Sequence, residues 1–242
     1  MKLKKETRKL WKERRRKLNW LRRFSETVGI PKWTRRPALY EMDHKLSKYL
    51  NFRNGFFVEA GANDGFTQSN TFFLEKGLNW KGVLVEAIPD LFEKCKAVRT
   101  RSTVVNGGLV PRGYKQDTLT MHYANLMSIA AGAMEATAME NHIQTGLACQ
   151  AIDESYSIDV PAITFEDILH QAKCPQIDFL SIDLEGFELE ALKGWDFEKH
   201  RPRYILTEVR DLPAVDDFFT ERNYEQVALL SIHDYLYQDM LN

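Results

Sequence analysis

The chain has 242 residues, 44% of them hydrophobic, with 33 Lys or Arg against 34 Asp or Glu and a net charge of −1. That length and composition suit one sizeable α/β core carrying an extension. No apolar run approaches the ~18 residues of a membrane span, and the N-terminus lacks the apolar centre of a secretory signal. Cys95, Cys149 and Cys174 are odd in number, scattered and without metal-type spacing, which excludes a disulfide framework and a zinc site. A reducing cytoplasm is the expected compartment.

The charge is unevenly spread. Residues 1–36 hold 15 Lys or Arg against three Glu, a local balance of +12 that leaves −13 for residues 37–242. Within this extension Leu3, Leu10, Trp11, Leu18, Leu21, Phe24 and Val28 recur at helical intervals, and Gly29 and Pro31 end the pattern. The segment predicts a cationic amphipathic helix. Residues 1–30 can lie on an anionic membrane surface, such as the inner face of the cell membrane. The same stripe can pack on the chain's own body or in a homo-oligomer, and nucleic acid is the weaker reading because the body is acidic.

After this extension, Asp43 to Leu50 reads as a helix leading into the first strand. Phe56 to Pro89 then reads FFVEAGANDGFTQSNTFFLEKGLNWKGVLVEAIP. Phe56 to Ala60 is a buried strand, and Gly61, Asn63 and Gly65 make a tight turn because they accept positive φ. A helix capped by Ser69 or Asn70 follows, and the strand Gly82 to Val85 delivers Glu86. That acid falls 21 residues after Gly65, near the ~20 of a nucleotide-binding βαβ unit, where it can accept both ribose hydroxyls. A nicotinamide site would want G-x-G-x-x-G. Here Glu59 ends the strand and would repel a pyrophosphate. S-adenosylmethionine, with its ammonium and sulfonium, suits that acid better.

Further along, Asp90 to Arg99 predicts a helix and Ser102 to Val105 a third strand, ending at Asn106-Gly107-Gly108. Residues 114–159 form a substrate-side insertion, with a strand over Tyr114 to Tyr123 and an Ala/Met-rich helical stretch over Leu126 to Gly146. Met127, Met134 and Met139 can line an adaptable lid, although such spacing equally serves ordinary packing. Thr164 and Asp167 make a capping box before a helix to Ala172. Ile177 to Ile182, Tyr204 to Thr207, and a terminal pair around Gln226 to Ile232 and Tyr235 to Tyr237 complete about seven strands of a mostly parallel, doubly wound sheet with helices on both faces.

VEAGANDG, VLVEAIPDLF, VPAITFEDIL, IDFLSIDLEGFELEALKG and YILTEV, in that order from Phe56 to Val209, resemble the FkbM family of methyltransferases. The most specific element is Ile177 to Gly194, where D-x-E-G-x-E follows an apolar strand. The resemblance implies a class I methyltransferase (Rossmann-like) fold, S-adenosylmethionine as donor, and O-methylation of a hydroxyl on a sugar, glycan or glycosylated metabolite. It also implies a cofactor site built from Glu59, Gly61, Ala62, Asn63, Asp64, Gly65, Glu86 and Ala87, with Asn106 on the base and Asp183 near the methyl group.

Ligands of open α/β sheets sit beyond the carboxyl ends of the strands, where Glu59, Glu86, Asn106, Asp183, Glu185 and Glu208 fall. Methyl transfer from a sulfonium needs an aligned acceptor oxygen and removal of its proton. Asp183 is the first candidate base, Glu208 its partner, and His122 and His142 the alternatives from the insertion. Glu185 can hold cofactor or substrate, while Glu188 suits a first helical turn. Asp183 and Glu208 could also hold Mg²⁺, but nothing in the spacing demands a metal. A nucleic-acid methyltransferase and a non-catalytic adenosine-binding scaffold are the competing functions.

Overall fold

The computed structural model describes residues 36–124, 127–133, 135–150, 155–172 and 176–241. The basic helix expected over Leu3–Val28 lies outside the described residues, as do Met134 and Cys174. Among the described residues no helix is long and apolar enough to cross a membrane.

In chain order the first elements are α1 (Met42–Leu46), β1 (Phe56–Ala60), α2 (Phe72–Leu78), β2 (Lys81–Glu86), α3 (Pro89–Val98) and β3 (Thr103–Asn106). A middle group follows: β4 (Gly108–Leu109), β5 (Thr118–His122), β6 (Ile129–Ala130), α4 (Ala136–Gln150), β7 (Ser157–Ile163) and α5 (Phe165–Ala172). The chain then closes with β8 (Phe179–Ile182), α6 (Glu188–Leu192), β9 (Tyr204–Glu208), α7 (Leu212–Thr220), β10 (Tyr224–Leu229) and β11 (Asp234–Asp239).

Seven strands form one sheet in the order β10-β11-β9-β8-β1-β2-β3. The run from β9 to β3 is parallel, and β11 and β10 are antiparallel additions at one edge. Because side chains alternate along a strand, β1 feeds two cores. Val58 and Ala60 pack with Phe165, Ile168, Leu192 and Phe219 on one face. Phe57 packs with Met42, Leu46, Leu74 and Trp80 on the other. Burial on both faces explains why these strands read as continuous apolar runs. Two caps follow from local chemistry. Ser69 Oγ accepts from Phe72 N at 3.1 Å, although Thr71 occupies the cap position of α2. Thr164 and Asp167 form the expected capping box, Asp167 N donating to Thr164 Oγ1 at 3.2 Å.

Within residues 114–159 lie β5, β6, α4 and the start of β7. The three strands join a second sheet of order β4-β7-β5-β6, whose core of Val110, Leu119, Met121, Ala130 and Val160 rests on Ile88 and Leu91. This small sheet stands over the end of the large one where the functional residues emerge.

Candidate active site

Parallel register aligns Ala60 with Val85 and with Ile182, and Ile182 with Thr207. The residues after those positions therefore surface side by side: Gly61, Glu86, Asp183 and Glu208. They open into a cavity of about 320 Å³ that Leu119, Met121 and Met127 line from the insertion.

The turn after β1 needs its glycines. Gly61 has φ +81°, and a Cβ there would lie 2.1 Å from the Asp183 carbonyl oxygen, so no side chain fits. Gly61 N and Ala62 N donate to Val85 O at 3.1 and 3.0 Å, which ties the turn to β2. Asn63 follows with φ +48°. Asp64 organises the next residues, its Oδ1 accepting from Phe66 N and Thr67 N at 2.9 and 2.6 Å. Gly65 is packed against Arg99 and Cys95.

Glu59 points to the face carrying α2 and α3, and it is saturated from within. It accepts from Ser69 Oγ at 3.0 Å, Thr71 Oγ1 at 2.7 Å and Asn70 N at 3.2 Å. Arg99 Nη1 lies 3.3 Å from Oε2. Arg99 is fully buried and also pairs with Glu75 at 2.9 Å, donates to Gly65 O at 3.2 Å and to Thr71 Oγ1 at 2.7 Å. A buried cation thus holds the glycine turn and the start of α2 together. Glu59 still borders the cavity, but its hydrogen bonds are spent on shaping the loop.

Glu86 is the second buried acid of the turn. Oε2 accepts from Asn63 N at 2.7 Å and Oε1 from Ile88 N at 2.8 Å. Burial pushes this carboxyl up to about 7, against the pull of those amides. A carboxylate has about four acceptor positions, so Glu86 keeps capacity toward the cavity it lines. Asn106 turns its side-chain amide back, donating to Glu86 O and Ala87 O at 2.9 Å each. The wall beyond β3 is made by Gly107 and Gly108 instead, while Ala87 lines the cavity directly.

At the other end Asp183 opens onto the cavity and hydrogen-bonds Glu208. Although Asp183 is exposed to the cavity, desolvation by the surrounding walls and the adjacent Glu208 hold it well above the usual carboxylate range. Burial also raises Glu208, with the Arg210 guanidinium opposing it. Glu185 is raised by burial and by Asp183 and Glu208. Arg210 Nη2 approaches it at 2.7 Å and Glu208 at 3.6 Å. Asp183, Glu185 and Glu208 each offer an oxygen within 4.8 Å of the others, a set that could hold a cation. Arg210 already supplies a positive charge to two of the three. Glu188 serves the backbone. Its Oε1 accepts from Leu184 N and Gly186 N at 2.8 and 3.0 Å and so fixes the loop after β8.

Of the two insertion histidines, the cavity takes His142 and leaves His122. His122 Nδ1 lies 2.9 Å from the Ser157 hydroxyl on β7, away from the lining residues. Sequence reading missed Arg99, Arg210, and the bond from Asn70 Nδ2 to Ser181 Oγ at 3.1 Å. Arg210 alone had a signal, lying two residues past Glu208 at a strand end.

A family model described as the methyltransferase FkbM domain matches residues 59–233, which contain every element of this site. The chain belongs to the FkbM methyltransferase family. As a member it is an S-adenosylmethionine-dependent methyltransferase. Similar solved structures include an O-methyltransferase from Bacillus cereus in complex with SAH, 14% identical with a TM-score of 0.46, covering 91% of this chain and 88% of that one. A TehB-like SAM-dependent methyltransferase from Corynebacterium glutamicum is 9% identical with a TM-score of 0.42, covering 91% and 96% respectively. No curated protein sequence matches the chain.

Proposed function

We propose that this FkbM protein methylates a hydroxyl group of a sugar, glycan or glycosylated metabolite, with the Asp183–Glu208 pair taking the hydroxyl proton. The pair itself carries the reading: two carboxyls sharing a hydrogen bond at adjacent strand ends, both lining the cavity. Desolvation raises both carboxyls, and the neighbouring Glu208 raises Asp183 further, which suits a group that must accept a proton in the reaction and release it afterwards.

The residues present fit the cofactor. Glu86 offers spare acceptor positions to a ribose, Gly61 to Asn63 bring bare backbone to the cavity wall, and Ala87 and Gly107 give a smooth surface for a base. Bound there, S-adenosylmethionine supplies an electrophilic methyl group. Asp183 orients the acceptor hydroxyl; as it takes the hydroxyl proton, the proton the two carboxyls already share passes to Glu208, and the pair ends with one proton on each. Leu119, Met121 and Met127 give the cavity an apolar wall. Glu59 and Arg99 act at a distance, by fixing the turn.

We further propose a cytoplasmic protein whose residues 1–30 attach it to an anionic membrane surface or join two copies. The test of function is a mass-spectrometric search for a one-methylene gain in glycans and metabolites of a cell extract given the enzyme and S-adenosylmethionine. A gain on a sugar hydroxyl supports the reading. Transfer confined to nucleic acid favours the competing methyltransferase, and cofactor binding with no transfer favours a scaffold.

A further inference from the structure

Glu185 lies where three elements meet, on a backbone that does not relax by itself. Its φ of +57° is left-handed, a conformation that a glutamate keeps only when its surroundings impose it. One oxygen, Oε2, has two partners: Arg210 Nη2 at 2.7 Å and His142 Nε2 at 3.4 Å. Arg210 follows β9, Glu185 follows β8, and His142 belongs to α4 of the insertion. His142 Nε2 is also 3.1 Å from Met127 O, which ties the helix to the Met127 turn. Next to Glu185, Gly186 has φ +101°, and a Cβ there would come within 3.2 Å of Arg210 Cδ and Nε. The arginine stem therefore lies against bare backbone.

We propose that Arg210 is a positioning residue: acting through Glu185 Oε2, it holds α4 and His142 closed over the acceptor side of the cavity. The inference rests on the reading of this cavity as the methyl-transfer site. Asp183, Glu188 and Glu208 surround Glu185, with Asp234 and His233 beyond them. Desolvation and these neighbouring acids all disfavour the charged form of Glu185, and the Arg210 guanidinium opposes them. A planar guanidinium reaches Glu185 and Glu208 together, which a point-like ammonium does less well. Without Arg210, Glu185 swings away and His142 loses its anchor.

The experiment compares full-length wild-type protein with Arg210→Gln, Arg210→Lys and Glu185→Gln. It reads amide hydrogen exchange, the NMR titration of the His142 ring, and calorimetric binding of S-adenosylhomocysteine. Arg210→Gln should speed exchange across α4 by about tenfold or more while β1 and β8 stay unchanged. The His142 ring should titrate at higher pH, because loss of the nearby positive charge favours its protonated form. Arg210→Lys should restore the titration but not the protection. Affinity for S-adenosylhomocysteine should stay within about twofold, since the Glu86 end is untouched. Unchanged α4 exchange or an unmoved His142 titration overturns the proposal. Should Arg210→Gln loosen β1 as well, Glu185→Gln decides: it keeps the shape and removes the ion pair, so a fully protected α4 there also overturns it. Failure of the wild-type protein to bind S-adenosylhomocysteine refutes instead the reading of the cavity.

Discussion

Replacing Arg99 with methionine should cost this protein a large part of its stability. The residue is fully buried and pairs with Glu75 at 2.9 Å and Glu59 at 3.3 Å. Breaking a buried pair by removing one partner costs about 3–5 kcal/mol, because the remaining charge stays buried. Here two carboxylates are orphaned, but each keeps help. Glu59 retains Ser69 and Thr71, while Glu75 retains Ser102 at 2.6 Å and Lys76 at 2.7 Å. The middle of that range, about 4 kcal/mol, is therefore expected, about a quarter or more of the ~5–15 kcal/mol that a domain has. For a chain of this size the midpoint of thermal unfolding should fall by roughly 8–16 °C. Acid should narrow the difference. Burial raises Glu75, but Arg99, Lys76 and Ser102 more than compensate, so it sits below the usual range in the wild type. Its contribution is full above the ordinary carboxylate pH and fades as pH falls through the depressed value. In the variant its folded value rises, and the penalty disappears on protonation. Calorimetric scans of Arg99→Met and of Arg99→Met/Glu75→Gln check this, the double variant recovering part of the loss. A shift below about 1 kcal/mol for Arg99→Met, flat with pH, is the size of an exposed pair and would contradict this role for Arg99.

With Glu86 held near 7 by burial, the protein without cofactor should lose stability as pH rises from the ordinary carboxylate range to about 7. Cofactor affinity should rise over that interval, since ribose hydroxyls prefer the ionised form, and Glu86→Gln should abolish both slopes in calorimetry across pH. Asp183→Asn should keep S-adenosylhomocysteine affinity while methyl transfer to the acceptor found by mass spectrometry falls about 100-fold or more. EDTA should leave that rate intact, because Arg210 already places a positive charge on two of the three acids; loss in chelator with recovery in Mg²⁺ would install a metal there. Deleting residues 1–30 should spare cofactor binding and remove salt-sensitive sedimentation with anionic vesicles; unfolding, or conversion of a dimer to monomers, would make the segment structural.

The features legible in the sequence are those governed by short-range pattern. The spacing of Glu59 and Glu86 about a glycine turn, the Thr164–Asp167 box, and the placement of Asp183 and Glu208 at strand ends all follow from periodicity and turn chemistry. What was hidden depends on tertiary meetings. Arg99 closes an ordinary helix, and nothing nearby marks it as the partner of an acid 40 residues earlier. The second sheet escaped notice because β4 and β6 are two residues each, too short to show alternation. Which insertion histidine enters the cavity depends on how β5 pairs with β7, and neither side chain announces it. Glu185 gives no warning of its positive φ, which it shares with the neighbouring Gly186.

Whether the strand ends from Gly61 to Glu208 form an S-adenosylmethionine site can be settled by titration calorimetry with S-adenosylhomocysteine, without knowledge of the acceptor. The expected isotherm has one site per chain, no competition from NAD, and a loss of about 1.5–3 kcal/mol in Glu86→Ala, the scale for hydrogen bonds to a charged group. Equal affinity for NAD, or an unaltered Glu86→Ala isotherm, would contradict it.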